Sequence, residues 1–478
     1  MRWTSWAALA AVGLAVGCVA RAPSGAPTLS RDFKYWRGAR EESPGPFLCR
    51  SPAAAGVTVV CDRWPDGSDL RQFGLDAARL SGAKTDQDRA VAVWRWVRRW
   101  KMHTDGNPPT EKLKNPLQSK KRGYIDDPIK ILNVYGTHYC DGLSRVVEAV
   151  WRAMGHPAEK LVLGSHTMAH CYYTYADGVG RWHLFDVNFG SYIPHRSGTR
   201  LLGADGFSAD YCKNFSQWKH CQHLALPTHR VDLSFRPGER LERIWGNRGK
   251  PYQDNVDLER DRRRLKDFER GPYKPGYGNG RWTYSPNLAS PAWTKGLAEP
   301  PVNMVPNVLA PARPGRPATA VWHVRTPYIV SDAEVELQAY RKSDDDLIRL
   351  HLSVDNGKTW RKLWELPPGE IGPRDFIVPI CDKFKVTGKA APPKDLNSPF
   401  GRYHYRLKLE LAAAERPEDC QVTAIKFHTV VQQNYFALPQ LQPGRNRITV
   451  KGELAKGAAL KITYVWDDPL GKGRRNVT

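Results

Sequence analysis

Apolar and polar positions alternate with readable periods in several stretches of the chain. From Thr85, apolar residues fall at Ala90, Val93, Trp94 and Val97, the spacing of a helix that buries one side. Thr85 with Asp88 gives that helix a capping-box start, and Arg95, Arg98 and Arg99 lie largely off its apolar stripe. A second stretch, Leu132–Gly155, repeats the pattern at Leu143, Val146, Val147, Val150, Trp151 and Met154. Gly155 is its C-cap and Thr137 a suitable N-cap, and the two helices are expected to pack together. The period then drops to two. Leu161–Leu163 and His170–Tyr175 read as strands, Asp177–Gly180 as a turn and Trp182–Asp186 as the returning strand of a hairpin. Alternation puts His170 on one face with Tyr172 and Thr174, and turns Cys171 the other way.

From Ala318 onward the pattern is β throughout. Strands are expected at Val335–Tyr340, Leu347–Ser353, Phe376–Ile380, Tyr403–Leu411, Thr423–Val430 and Arg447–Val450, at the spacing of a sandwich. Between two of them, Ser353–Trp360 resembles an Asp-box hairpin turn, in which Asp355 bonds turn backbone, Gly357 takes a positive φ and Trp360 packs inward. A single copy excludes a propeller of repeated blades. Before the helices, Phe47–Trp64 holds a hairpin with Val57–Val60 as a β-branched strand. Lys101–Lys130 is a polar loop, and Glu259–Arg270 an exposed charged helix.

The first residues change the compartment. Arg2 precedes an apolar run, Trp6–Val16, with small residues before Cys18, and Leu14–Cys18 resembles a bacterial lipoprotein signal with Cys18 as the lipidated residue. The chain is therefore expected in the cell envelope, held to the membrane by an N-terminal lipid at the periplasmic or outer surface. The expected divisions are a signal at 1–17, a tether at 18–45, an α+β domain at 46–225 with an N-terminal extension, an irregular and Pro-rich connector at 226–317 and a β-sandwich at 318–478. Export also makes disulfides expected: of the eight cysteines besides Cys18, Cys49/Cys61, Cys212/Cys221 and Cys381/Cys420 lie close enough to pair, which leaves Cys140 and Cys171. With 72 Lys and Arg against 49 Asp and Glu, the net charge is +23. That suits an anionic envelope polymer or glycan; no nucleic-acid motif is present, so nucleic acid is not an expected partner.

Cys140 opens the second helix, where free N–H groups and the helix dipole favour a thiolate. A nucleophilic thiol needs a base, and the base an orienting group; His170 and Asp186 follow on two strands of one hairpin. Tyr139-Cys140-Asp141-Gly142 opening a helix that ends Met154-Gly155-His156-Pro157, His170 beginning a strand, and Gly180–Asp186 closing the hairpin together resemble the transglutaminase-like superfamily of cysteine enzymes. The resemblance covers about residues 85–190. It implies a papain-like α+β fold with Cys140 as nucleophile, His170 as general base and Asp186 as its orienter, and no cofactor. The chain departs from the family pattern after His170, where Cys171, Tyr172, Tyr173 and Thr174 replace the usual aromatic and Glu, and after Asp186, where Val187-Asn188 replaces Pro; Asn188 is the fallback orienter. The Cys140 N–H is one oxyanion donor, and Tyr135 or His138 a second. A zinc site from Cys140, His166, His170 and Cys171 fits no common ligand spacing, so no metal is expected. Two functions follow: a thiol peptidase, amidase or acyltransferase acting on peptide or protein amides, or an inert envelope protein whose sandwich holds glycan or protein, with Trp360 or Trp364 stacking on sugar.

Overall fold

The structure is a computed structural model of the 478-residue chain, and it describes residues 51–100, 127–136, 138, 140–163, 166–175, 177–192, 194, 201, 218–221, 227, 229–245, 278–381, 398–399, 401–434, 436–467 and 474–477. Cys18, where lipidation is expected, the expected tether, the stretch up to Asp126, Cys49, Cys212 and the charged stretch near Arg262 lie outside the described residues. Among the described residues no helix is long and apolar enough to cross a membrane.

Helices form where the two apolar stripes fall, from Asp86 and from Cys140, and a further one, absent from the sequence expectations, precedes them. α1 spans Leu70–Leu80 and α2 Asp86–Trp100. The capping box at α2 is reciprocal: Asp88 N–H donates to Thr85 Oγ1 at 3.1 Å, and Thr85 N–H to Asp88 Oδ2 at 3.0 Å. A one-turn α3, Pro128–Lys130, runs into a wide turn over Ile131–Tyr135 that Gly136 ends at φ +66°. α4, Cys140–Ala153, follows, and Gly155 closes it at φ +97°. These helices lie on a four-stranded antiparallel sheet in the order β4-β3-β2-β5, from β2 (Ala158–Leu163), β3 (His166–Thr174), β4 (Gly180–Phe185) and β5 (Trp218–Cys221).

A second layer pair lies C-terminal to it. One sheet has the order β13-β10-β15-β8-β7, built from β7 (Glu239–Trp245), β8 (Gly278–Tyr284), β10 (Ile329–Arg341), β13 (Gly372–Pro379) and β15 (Cys420–Gln432). The other, β12-β11-β14-β9, is built from β9 (Ala318–Arg325), β11 (Leu347–Ser353), β12 (Arg361–Glu365) and β14 (His404–Ala412). All pairings in both sheets are antiparallel, and inward residues such as Val335, Leu337, Leu350 and Leu407 share one core. The alternation in β14 is complete: Tyr405, Leu407, Leu409 and Leu411 are buried and the residues between them are not. The Asp355 turn is built as its sequence implies. Asp355 accepts from Thr359 N–H at 3.0 Å and from Thr359 Oγ1 at 2.6 Å, and Gly357 has φ +87°.

Four expectations need correction. The connector is not structureless: β7 and β8 are sheet members, and the proline-rich run bonds both sheets of the sandwich, with Ala298 N–H to Val321 O of β9 at 2.7 Å and Val422 N–H of β15 to Leu309 O at 2.8 Å. Proline suits such a run because it settles at sheet margins without needing a donor. Arg447–Val450 does belong to a strand, β16 (Ile448–Leu454), but not to the sandwich. It pairs with β1 (Ala54–Cys61), whose other neighbour is β6 (Leu233–Phe235), so β1 is no local hairpin. Cys381 and Cys420 are both buried thiols, as are Cys61 and Cys171. Register explains the first pair: Cys420 stands opposite Arg341 at one end of β10, whereas Cys381 bonds Ala333 near the other. Eight strand residues separate those ends by roughly 26 Å, far beyond disulfide reach. β17 (Tyr464–Asp467) and β18 (Arg474–Val477) complete the chain as a separate ribbon.

The two halves share a core. Phe436, beyond β15, lies against Trp64 and Trp100 with ring centroids 5.5 and 5.7 Å away, and Tyr328, Trp282 and Tyr403 join the same cluster as the helices. Trp64 Nε1 donates to Gln440 O at 2.8 Å.

Candidate active site

α4 and β3 run side by side in the same direction. Ser144 Oγ donates to the Thr167 carbonyl at 3.0 Å, and Trp151 Nε1 to the Tyr172 carbonyl at 3.0 Å. One turn before Ser144, Cys140 therefore arrives at the beginning of β3. The residue there is His166, and its ring and Thr167 are near enough to the Cys140 thiol to shift its titration. His166 Nε2 lies 2.7 Å from Asp186 Oδ2, leaving Nδ1 for the sulfur.

The structure does not bring His170 to Cys140. His170 lies four residues further along β3, roughly 13 Å at strand rise. It is 5% exposed, sits opposite Glu159 in the register, holds Glu159 Oε1 at 2.7 Å through Nδ1 and packs on Trp182. Asp186 is where it was expected to be, but its partner is His166. A sequence signal existed, since His166 and His170 share strand parity. Choosing between them requires the register of helix against strand, which neither period supplies.

Asp186 is held by its own turn. Its Oδ1 accepts the N–H groups of Asn188 at 2.8 Å and Phe189 at 2.9 Å, which leaves Oδ2 to face the imidazole. The fallback Asn188 thus contributes its backbone N–H, and the carboxylate that faces the ring is that of Asp186. Trp94 on α2 fixes the same turn by donating Nε1 to the Asp186 carbonyl at 2.9 Å.

The remaining candidates have structural positions. His138 is fully buried, and its Nδ1 accepts the Gly142 N–H at 3.2 Å, capping α4. At that atom it is an acceptor and not an oxyanion donor. Gly142 is obligatory there, because a Cβ would stand 2.2 Å from the His138 ring. Tyr135 is 3% exposed and packed in the shared core. Asp141, next to Cys140, pairs with the buried Lys160 of β2. Thr137 lies outside the described residues. Trp360 lies under Lys408 Nζ, 4.7 Å from the ring, and Trp364 packs on Phe376 with centroids 5.1 Å apart.

The electrostatics favour charge separation. Burial pushes the Cys140 thiol up, but hydrogen bonds from His166 and Thr167 outweigh it and hold its pKa below the ordinary thiol value. The hydrogen bond to Asp186, and then the one to Cys140, raise the His166 pKa to about 9. Both shifts have the sign of a thiolate–imidazolium pair. Cys171 behaves oppositely: burial, with Glu148 adding to it, pushes its thiol well above the ordinary value. Among the described residues, no group of three or more metal-binding side chains is gathered.

No protein-family model and no curated protein matches the chain. Among solved structures it is similar to a carbohydrate-binding module of the β-sandwich superfamily, at 8% identity over 58% of this chain and 84% of that one, with a TM-score of 0.13. A similarity that low carries no argument about fold, ligand or partner.

Proposed function

We propose that the chain is a cysteine enzyme of the transglutaminase-like type, acting on peptide or protein amides through Cys140, His166 and Asp186. One observation carries the reading: a thiol at a helix N-terminus beside an imidazole whose Nε2 is held by a carboxylate. The α+β architecture of residues 46–225, and the family resemblance of residues 85–190, support the same assignment with His166 in the place first given to His170.

In this reading the Cys140 thiolate adds to the amide carbonyl carbon, and the oxygen takes the negative charge. The Cys140 N–H, at the start of α4, is the donor offered to that charge, since His138 already takes the Gly142 N–H. The His166 imidazolium gives its proton to the leaving nitrogen, the C–N bond breaks, and an acyl-thioester remains on Cys140. His166, now neutral, takes a proton from water or an incoming amine, which attacks the thioester and releases the thiolate. Asp186 keeps the ring in the tautomer that serves both steps and stabilises its charge.

The test is selective alkylation. Iodoacetamide at neutral pH should label Cys140 well before the buried thiols, and His166→Gln should remove the difference from an ordinary thiol. Equal labelling of Cys140 in the native and His166→Gln proteins would sink the proposal. The N-terminal lipid on Cys18, and residence in the cell envelope, belong to the same proposal; mass measurement of the mature N-terminus checks them.

A further inference from the structure

Phe189 is the residue that neither the fold nor the triad uses. It is 72% exposed, and its ring centroid lies 4.9 Å from that of His166, tilted by 47°. Scattered exposed apolar residues are ordinary, but this one is held in place. Its N–H is bonded to Asp186 Oδ1, the Asp186 carbonyl is bonded to Trp94, and Arg98 donates to the next carbonyl, Gly190 O, at 3.3 Å. The turn is therefore fastened at both ends to α2, and an aromatic face is presented to solvent beside the imidazole. Water lost from that face on substrate binding is a source of affinity located at the reacting centre.

Resting on the thiol chemistry proposed above, we infer that Phe189 is the specificity wall of the site and that the substrate is an amide with a large apolar group on its leaving-amine side. The side follows from the proton: His166 delivers it to the leaving nitrogen, so a group bordering His166 borders what that nitrogen carries. An aromatic or long aliphatic substituent covers the Phe189 ring, while a charged or hydroxylated one leaves it wet.

The experiment uses the full chain and two alkylating amides, N-(2-phenylethyl)iodoacetamide and N-(2-hydroxyethyl)iodoacetamide, with labelling of Cys140 followed by peptide mass. In each case the thiolate displaces iodide, and each rate is divided by that of the same reagent with glutathione. The phenylethyl reagent is expected to be preferred about tenfold, the size of discrimination an apolar contact gives. Phe189→Ala should bring the ratio close to one, and Phe189→Trp should restore it. A ratio unchanged in Phe189→Ala overturns the inference. So does an equal slowing of both reagents with a displaced His166 titration, because Phe189 would then only shield the His166–Asp186 bond. The ratio is readable even where labelling is slow. The thiol reading itself fails separately, by slow labelling that His166→Gln does not alter.

Discussion

At the residue scale, two histidines one helical turn apart in number have opposite tasks. His166 lies beside the thiol and is bonded to Asp186, whereas His170 closes a buried pair with Glu159. Their substitutions should separate cleanly. His166→Gln is expected to abolish rapid alkylation and, below about pH 9, to lower the melting temperature as the His166–Asp186 contact is lost. His170→Ala removes the imidazole that bonds the buried Glu159 carboxylate, a loss of about 1–3 kcal/mol. It should lower the melting temperature, with rapid labelling retained in the folded fraction. The pH dependence follows from the two shifts. Activity should rise through a thiol pKa below the ordinary range and fall near pH 9, where the imidazolium that protonates the leaving group is lost. For stability the sign is that of a raised His: the His166 contribution is complete below its unfolded value of 6.5 and disappears as pH climbs through about 9. A thermal scan of native protein and His166→Gln at pH 6 and pH 9.5 should show the gap between them closing at the higher pH.

At the scale of elements, the helix that carries the nucleophile is set by contacts at its first turn. The capping His138 ring occupies the space above Gly142, and Asp141 is tied to Lys160. Gly142→Ala should therefore displace the cap, destabilise the protein by about 1–3 kcal/mol as overpacking does, and slow Cys140 labelling by moving the thiol off His166. Differential scanning calorimetry and labelling rates check the two effects together. α2, α4, the β3–β4 hairpin and most sandwich strands were legible because each buries one face and so carries its period in the sequence, whereas α1 was not read. The relative placement of α4 and β3 was not legible. It depends on which helical residue meets which strand residue, here Ser144 at Thr167 and Trp151 at Tyr172, and a period is unchanged by sliding one element along another.

At the scale of the whole molecule, the sandwich is part of what positions the site. Asn434, just past β15, donates its side chain to the carbonyls of Leu132 and Trp100 and its N–H to Asn133 O, against the wide turn that precedes Cys140. The Asn434 amide fills the space beside Gly136, where a Cβ would lie 2.5 Å from it. Phe436 seals the aromatic cluster of Trp64 and Trp100. Residues 46–225 expressed alone should therefore fail to fold cooperatively, which circular dichroism and a thermal scan would reveal. In the full chain, Phe436→Ala should cost about 3–5 kcal/mol, as for a large core aromatic. A separately stable 46–225 fragment with native labelling of Cys140 would contradict this account of the shared core.

The sequence by itself determined what is local: where helices and strands form, which faces they bury, that Cys140 opens a helix, that Asp186 ends the hairpin, and that the Asp355 turn bends as it does. Each follows from side-chain periodicity, capping or turn chemistry acting over a few residues. Tertiary structure decided which histidine meets the sulfur, that Cys381 and Cys420 stay apart, that β16 leaves the sandwich to pair with β1, and that the proline-rich run joins a sheet. Those outcomes depend on register and on contacts between residues hundreds of positions apart. They are fixed by the summed packing of whole layers, which no short stretch of sequence encodes.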